Sequence, residues 1–226
     1  IAYSWEFLTD KDWLGLDPEY LAVSVFSGSA GLPKDDQSAR FWKDVGVPAE
    51  RIAYLDLDEN WWPAGGRAVG PQGPDTEMFY WTGEETPPEN FDPENAKWVE
   101  IWNDVFMQYN KKTDGTFEPL KQQNVDTGMG LERTLVALNG LEDIFQIDTF
   151  KSIIYKIEEI GGKKYKARED ETKSMRIIAD HIRTAVMILG DDLGIAPSNV
   201  EQGYVVRRLI RRAIRHAKLL NIKKNC

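Results

Sequence analysis

The sequence predicts an α+β chain, an antiparallel or mixed sheet with flanking helices followed by an all-helical region. Three observations lead there. β-branched and aromatic runs separated by turn signals fill the first 120 residues. Apolar positions recur at three and four after Gly140. The sign of the charge reverses near that change of texture: residues 1–150 hold 11 basic against 28 acidic side chains, and residues 151–226 hold 17 against 9. An acidic half repels a polyanion and a basic half attracts one, so a nucleic acid is expected on the C-terminal part.

The elements follow in order. Tyr20–Phe26 (YLAVSVF) reads as a strand that Gly28, Gly31 and Pro33 end. Asp35, Asp36 and Ser38 cap or charge the start of a helix reaching about Val45, with Phe41, Trp42 and Val45 on its apolar side. A strand is expected over Arg51–Leu57. Asn60–Gly83 is so rich in glycine, proline and tryptophan that it reads as a loop forming a pocket wall, entering a strand only at Thr76–Trp81. Trp98–Tyr109 is a long strand, and Asp114-Gly115 turns it into Thr116–Leu120. No βαβ alternation is evident, which disfavours a doubly wound sheet. A helix is expected over Ile144–Glu159, a break at Gly161-Gly162 and an exposed polar stretch over Lys163–Lys173. Ser174 then caps a helix with its stripe at Ile178, Ile182, Ala185, Val186 and Leu189. A last helix spans about Glu201–Leu220, its stripe at Val205, Leu209, Ala213, Ala217 and Leu220.

Composition narrows the function classes. The 226 residues contain no apolar run near the roughly 20 that a membrane span needs, and no signal region opens the chain, so a cytoplasmic protein without a membrane partner is expected. One cysteine, Cys226, and two histidines leave no disulfide and no zinc site within the chain. His181 reads as a packing residue and His216 as part of a basic face. Trp61 reads as core, with only one of Trp61 and Trp62 turned toward a pocket.

The sharpest local pattern is Asp126-Thr127-Gly128-Met129-Gly130-Leu131-Glu132-Arg133, a strand end passing through two glycines into a helix. Glycines let a ligand approach the backbone, Asp126 at the mouth can hold an ammonium, and Arg133 one turn into the helix can meet a phosphate or stack on a base. An ordinary strand-to-helix turn with a capping aspartate has the same spacing. A second pattern is Arg207, Arg208, Arg211, Arg212 and Arg215 on one helix face. Eight basic residues against one acidic between Glu201 and Cys226 leave few local partners for them, which favours phosphates over surface ion pairs.

The run VDTGMGLERTLVALNG resembles motif 3 of the alanyl-tRNA synthetase family, within the class II aminoacyl-tRNA synthetases. IAYSWEFLTD resembles the helix after motif 2, Asn60–Tyr80 the tryptophan and Gly-Pro-rich loop, and EIWNDVFMQYN the strand of the alanine pocket. SMRIIADHIRTAV and APSNVEQGYVVRRLIRRAIRH resemble the helices that recognise tRNA. The resemblance covers nearly the whole chain, and implies a class II synthetase-like antiparallel sheet. It assigns 1–145 to the C-terminal part of the catalytic core and 146–226 to the start of a helical tRNA-recognition region.

The resemblance further implies an ATP-dependent ligase, translation enzyme and tRNA-binding protein that activates alanine and transfers it to the 3′ end of alanine tRNA. Asp126 would hold the substrate ammonium, Trp62, Asn103 and Val105 would line the alanine pocket, and Gly128 would form its floor. ATP would lie against Gly128, Gly130 and Arg133, with Mg2+ arriving with the nucleotide, and Arg133 would be the catalytic side chain. Asn199 would read the G·U wobble pair of the acceptor stem while the five arginines hold its phosphates. Gln72 and Asp75 stand where many relatives have cysteine. Motifs 1 and 2 would precede Ile1 and the editing domain would follow, so an incomplete enzyme, inactive alone, is expected. The alternative is a non-catalytic tRNA-binding paralogue.

Overall fold

The computed structural model describes residues 1–29, 31–66 and 68–223; Cys226, named above, lies outside them. The chain divides into two compact units, residues 1–142 and 143–226.

The first unit is built on six strands: β1 (Leu21–Phe26), β2 (Ile52–Leu55), β3 (Trp61–Pro63), β4 (Gly70–Trp81), β5 (Trp98–Lys111) and β6 (Phe117–Met129). Their order is β2-β1-β4-β5-β6, with β3 also pairing β4. All pairs are antiparallel except β1 with β2, which are joined through α2 (Asp36–Asp44). That single β-α-β unit corrects the expectation of none. Asp35 caps α2 by accepting the Ser38 N–H at 2.9 Å. Helix α1 (Ala2–Thr9) packs with α2 over one face of the sheet, where Leu8, Val23, Val25, Trp42, Met78 and Ile101 form the main core. Trp42 is fully buried; its Nε1 donates to Thr76 Oγ1 at 2.7 Å, and Thr76 donates onward to Ser24 O, tying α2, β4 and β1 together.

The expected loop before Thr76 is strand. β4 starts at Gly70, and its two prolines sit where a missing N–H costs least: Pro71 near the strand start and Pro74 in an interruption of the ladder. Gln72, buried, accepts from Trp61 Nε1 at 3.0 Å, so it serves β3–β4 packing. β6 likewise runs to Met129, well beyond Leu120, because residues 124–129 pair with β5 beyond a shift in the ladder.

The second unit has α4 (Asp148–Gly161), α5 (Glu169–Gly190) and α6 (Glu201–Leu219), preceded in the first unit by α3 (Leu131–Leu138). The helix expected from Ile144 is a short 3-10 turn, Ile144–Gln146, before α4 begins. Helix α5 starts five residues before Ser174, because Glu169, Asp170 and Glu171 suit the first turn of a helix. Ser174 is therefore no cap; it is buried and hydrogen-bonds His216 Nδ1 at 3.1 Å. Val186 and Leu189 are exposed, the buried face of α5 running through Met175, Ile178, Ala179 and Ala185. On α6 Ala213 and Ala217 are buried as expected, with Leu220 just beyond the helix, while at its start Val206 is buried in place of Val205.

Gly73 marks the tightest packing. A Cβ built there would fall 1.7 Å from Phe106 O and 2.6 Å from Phe106 C, on backbone that cannot step aside. Gly73→Ala is expected to lower the stability of this chain by about 2 kcal/mol or more, an overpacking cost, read as a reduced midpoint in urea unfolding.

Candidate functional site

Register decides what the sheet presents on the face opposite α1 and α2. In β4–β5–β6, Asp75 pairs with Val105 and Val105 with Asp126, while Glu77 pairs with Asn103 and Asn103 with Gly128. Directly paired residues point to the same side, so two cross-strand rows, Asp75–Val105–Asp126 and Glu77–Asn103–Gly128, share one face. Four sequence-derived residues from two distant segments, Asn103, Val105, Asp126 and Gly128, thus meet. Gly128 is held open by its neighbour: a Cβ there would lie 3.3 Å from Asn103 Oδ1. Asp126 is exposed at the β6 edge, its Oδ1 accepting the Thr127 N–H at 3.0 Å. Trp62 is 47% exposed on β3, opposite Gly73, whereas Trp61 is buried among Phe26, Tyr109 and Phe117.

Arg133 lies on α3, which Gly130 opens; the Gly130 N–H donates to Ile101 O at 2.8 Å and so fixes the helix start to β5. The space beside Gly130 is filled by the aliphatic part of Arg133, whose Cδ lies 3.3 Å from the Cβ a larger residue would carry. Arg133 Nη1 donates to Glu100 Oε2 at 2.6 Å and to Glu100 O at 3.0 Å.

Sequence reading missed Asp75, Glu77 and Glu100 as members of this face. Asp75 is 2% exposed and Asn60 fully buried; Asn60 Nδ2 donates to Ser24 Oγ at 2.9 Å and to Asp75 Oδ1 at 3.4 Å, and Ser24 Oγ donates to Glu77 Oε2 at 3.1 Å. Burial pushes the Asp75 carboxyl up to about 7, with Glu100 and Glu59 adding to the rise against the opposing Asn60 hydrogen bond. Burial also pushes Glu77 up to about 8, helped by the nearby charges of Glu100 and Asp75. The signal was the alternation Asp75-Thr76-Glu77, which puts two acids on one strand face once β4 is recognised. Among the described residues no group of three or more histidine, cysteine, aspartate or glutamate side chains is arranged to hold a metal, and no helix is long and apolar enough to cross a membrane.

In the second unit Asn199 is exposed just before α6. Arg207 is half-buried, and Arg208, Arg211, Arg212 and Arg215 are exposed. Among the described residues none of the five forms an ion pair. Arg208 sits 5.9 Å from the Tyr204 ring centroid. His216 is half-buried beside the arginines of the expected basic face, and burial, then Arg212 and Arg215, lower its pKa and disfavour its charged form. His181 is buried, with Nδ1 2.8 Å from Asp180 Oδ2, in keeping with a packing role.

Comparison with known proteins decides the family. The family described as tRNA synthetases class II (A) matches residues 1–226. The chain belongs to that family. It is 50% identical over 228 residues to an alanine-tRNA ligase of Treponema denticola, covering 100% of this chain and 38% of the relative. An alanine-tRNA ligase of Treponema pallidum is 45% identical, with 98% of this chain and 37% of the relative covered. One of Pediococcus pentosaceus is 42% identical over 99% of this chain and 25% of its own length. The chain thus spans well under half the length of these relatives. The class II sheet expected from motif 3 is present as the mostly antiparallel six-strand sheet with flanking helices.

The raised carboxyls of this class II chain give a testable pH dependence. Folded Asp75 and Glu77 keep their protons up to about pH 7 and about pH 8, whereas unfolded carboxylates release theirs near pH 4. Between those limits the folded state binds more protons, so the stability these groups contribute is full below about pH 4 and lost as pH rises through 7 to 8. Thermal unfolding of this chain from pH 5.5 to pH 8.5 is expected to show the midpoint falling by at least about 4 °C. Asp75→Asn combined with Glu77→Gln flattens that slope; an equal slope in both proteins refutes the assignment.

Proposed function

We propose that this chain is part of an alanine-tRNA ligase and supplies the floor of its amino-acid and nucleotide site together with a tRNA-binding surface. The observation carrying this is the pair of cross-strand rows that unite Asn103, Val105, Asp126 and Gly128, in a chain half identical to a protein of that name. Asp126 holds the alanine ammonium as a carboxylate counter-charge, and Val105, Asn103 and the bare Gly128 leave room for a methyl side chain, with Trp62 as a further wall. So small a pocket separates alanine from glycine or serine by only about 1–3 kcal/mol, which is the reason for an editing domain elsewhere in such an enzyme.

ATP lies against Gly128 and Gly130 with Arg133 on its phosphates, Mg2+ entering with the nucleotide. The alanine carboxylate oxygen attacks the α-phosphorus, the bond to the bridging oxygen breaks, and pyrophosphate leaves with its electron pair, giving alanyl-adenylate. The terminal ribose hydroxyl of tRNA then attacks the alanyl carbonyl, losing its proton and displacing AMP. No protein nucleophile is needed; the side chains position the reactants and offset charge. Glu100 holds Arg133 at 2.6 Å before nucleotide arrives, so ATP must win the guanidinium from a carboxylate. Asn199 contacts an acceptor-stem base edge, and Arg207, Arg208, Arg211, Arg212 and Arg215 neutralise stem phosphates, each neutralised phosphate steepening the salt dependence.

Alanine-dependent pyrophosphate exchange tests this in the full-length protein that carries the sequence. Wild type is expected to exchange, and Asp126→Ala and Arg133→Ala each to lose about 100-fold or more while remaining folded. A wild type that binds an acceptor stem yet shows no exchange identifies a non-catalytic tRNA-binding paralogue instead.

A further inference from the structure

The segment that enters α6 is pressed onto the helix at one residue. A Cβ built at Gly203 would fall 2.4 Å from Ser198 Oγ, 2.6 Å from Ala196 O and 2.9 Å from Ser198 Cβ. Two of those atoms belong to Ser198 and the third is backbone, so no side chain fits unless the segment lifts away. The approach is secured by hydrogen bonds: the Ser198 N–H donates to Gly203 O at 3.0 Å, and Ser198 Oγ donates to Val200 O at 2.9 Å while accepting the Val200 N–H at 3.2 Å. Asn199 is thereby bracketed by two residues whose backbones are pinned, while its own side chain is exposed. Immediately beyond, Glu201 has φ +49°, a left-handed conformation that a residue with a side chain adopts at a cost. Helix geometry alone favours alanine over glycine at position 203. The glycine and the strained turn both make sense as features that set the direction of Asn199.

We propose that Gly203 and Ser198 are positioning residues which aim the Asn199 amide at a base edge of an RNA acceptor stem. This rests on the reading of Asn199 given above. An exposed asparagine on a free loop samples many directions and loses affinity for each, whereas one fixed between pinned neighbours has its ordering cost met by the fold. Neither positioning residue touches the RNA, so their loss should erase discrimination without weakening phosphate contacts.

The test uses this chain and two RNA hairpins reproducing the acceptor stem of alanine tRNA, one with a G·U wobble pair and one with G·C at that position. Affinities are measured by fluorescence anisotropy over a salt series. Wild type is expected to prefer G·U, and Asn199→Ala to lose at least about 5-fold of that preference. Gly203→Ala and Ser198→Ala should each lose a comparable part, with the slope of affinity against salt unchanged; Arg211→Ala should weaken both hairpins alike and flatten the slope. Ser198→Ala adds no atoms, so it decides the matter if Gly203→Ala fails to fold. Preference retained in a folded Gly203→Ala and in Ser198→Ala, or equal weakening on both hairpins, overturns the positioning role. Absence of any preference in wild type, or an unchanged one in Asn199→Ala, overturns the reading of Asn199 and the inference with it.

Discussion

The register of β4 against β5 is the constraint on which the first unit depends. Between Gln72 and Asp75 the ladder shifts, and Gly73 lies so near Phe106 that only a hydrogen fits between them. A second shift follows between Met78 and Phe79. Because strand side chains alternate, a slip of one residue would turn Asp75 and Glu77 toward α1 and α2 and send Thr76 and Met78 outward. The bond from Trp42 to Thr76 holds that choice from the helical side. From it follow, in turn, the β5–β6 pairing, the meeting of Asn103 with Gly128 and the place where Gly130 can start α3.

The electrostatics of the floor follow from crowding. The charge of Glu100 raises both Asp75 and Glu77, the charge of Asp75 raises Glu77 further, and Arg133 pairs with Glu100. Water cannot reach Asp75 or Asn60 to help, and the remaining excess of negative charge is relieved by holding protons on Asp75 and Glu77. The two carboxyls titrate as neighbours, since charging either makes charging the other harder. Ser24 and Asn60 orient these groups by hydrogen bonds, while Asn60 Oδ1 is itself buried without a partner among the described residues.

Much of this was legible in the sequence, and the losses have identifiable causes. β1, α2 and β5 were read within a few residues because their apolar patterns are strong and their ends carry turn or capping residues. The motif 3 run gave the β6–α3 junction and with it Asp126, Gly128 and Arg133. The first half of β4 was hidden because two prolines and two glycines imitate a loop; their tolerance depends on a shifted ladder that no local pattern shows. β6 was cut short because its exposed polar residues owe their strand state to pairing with β5. Glu100 and the Asp75–Glu77 pair were missed for the same reason, since cross-strand neighbours belong to register and register is a property of the assembled sheet. In α6 the helix and the buried positions Ala213, Ala217 and Leu220 were legible, and only its first stripe position fell on Val205 in place of Val206, because both are equally apolar.

The withdrawal of His216 into contact with Ser174 has a consequence for the surface beside it. The cations left on that part of α6 are guanidinium groups and the Lys218 ammonium, which keep their charge across the whole physiological range. A face made this way is blind to acidity: its pull on a phosphate backbone answers to ionic strength, and a cell that acidifies changes neither its sign nor its magnitude.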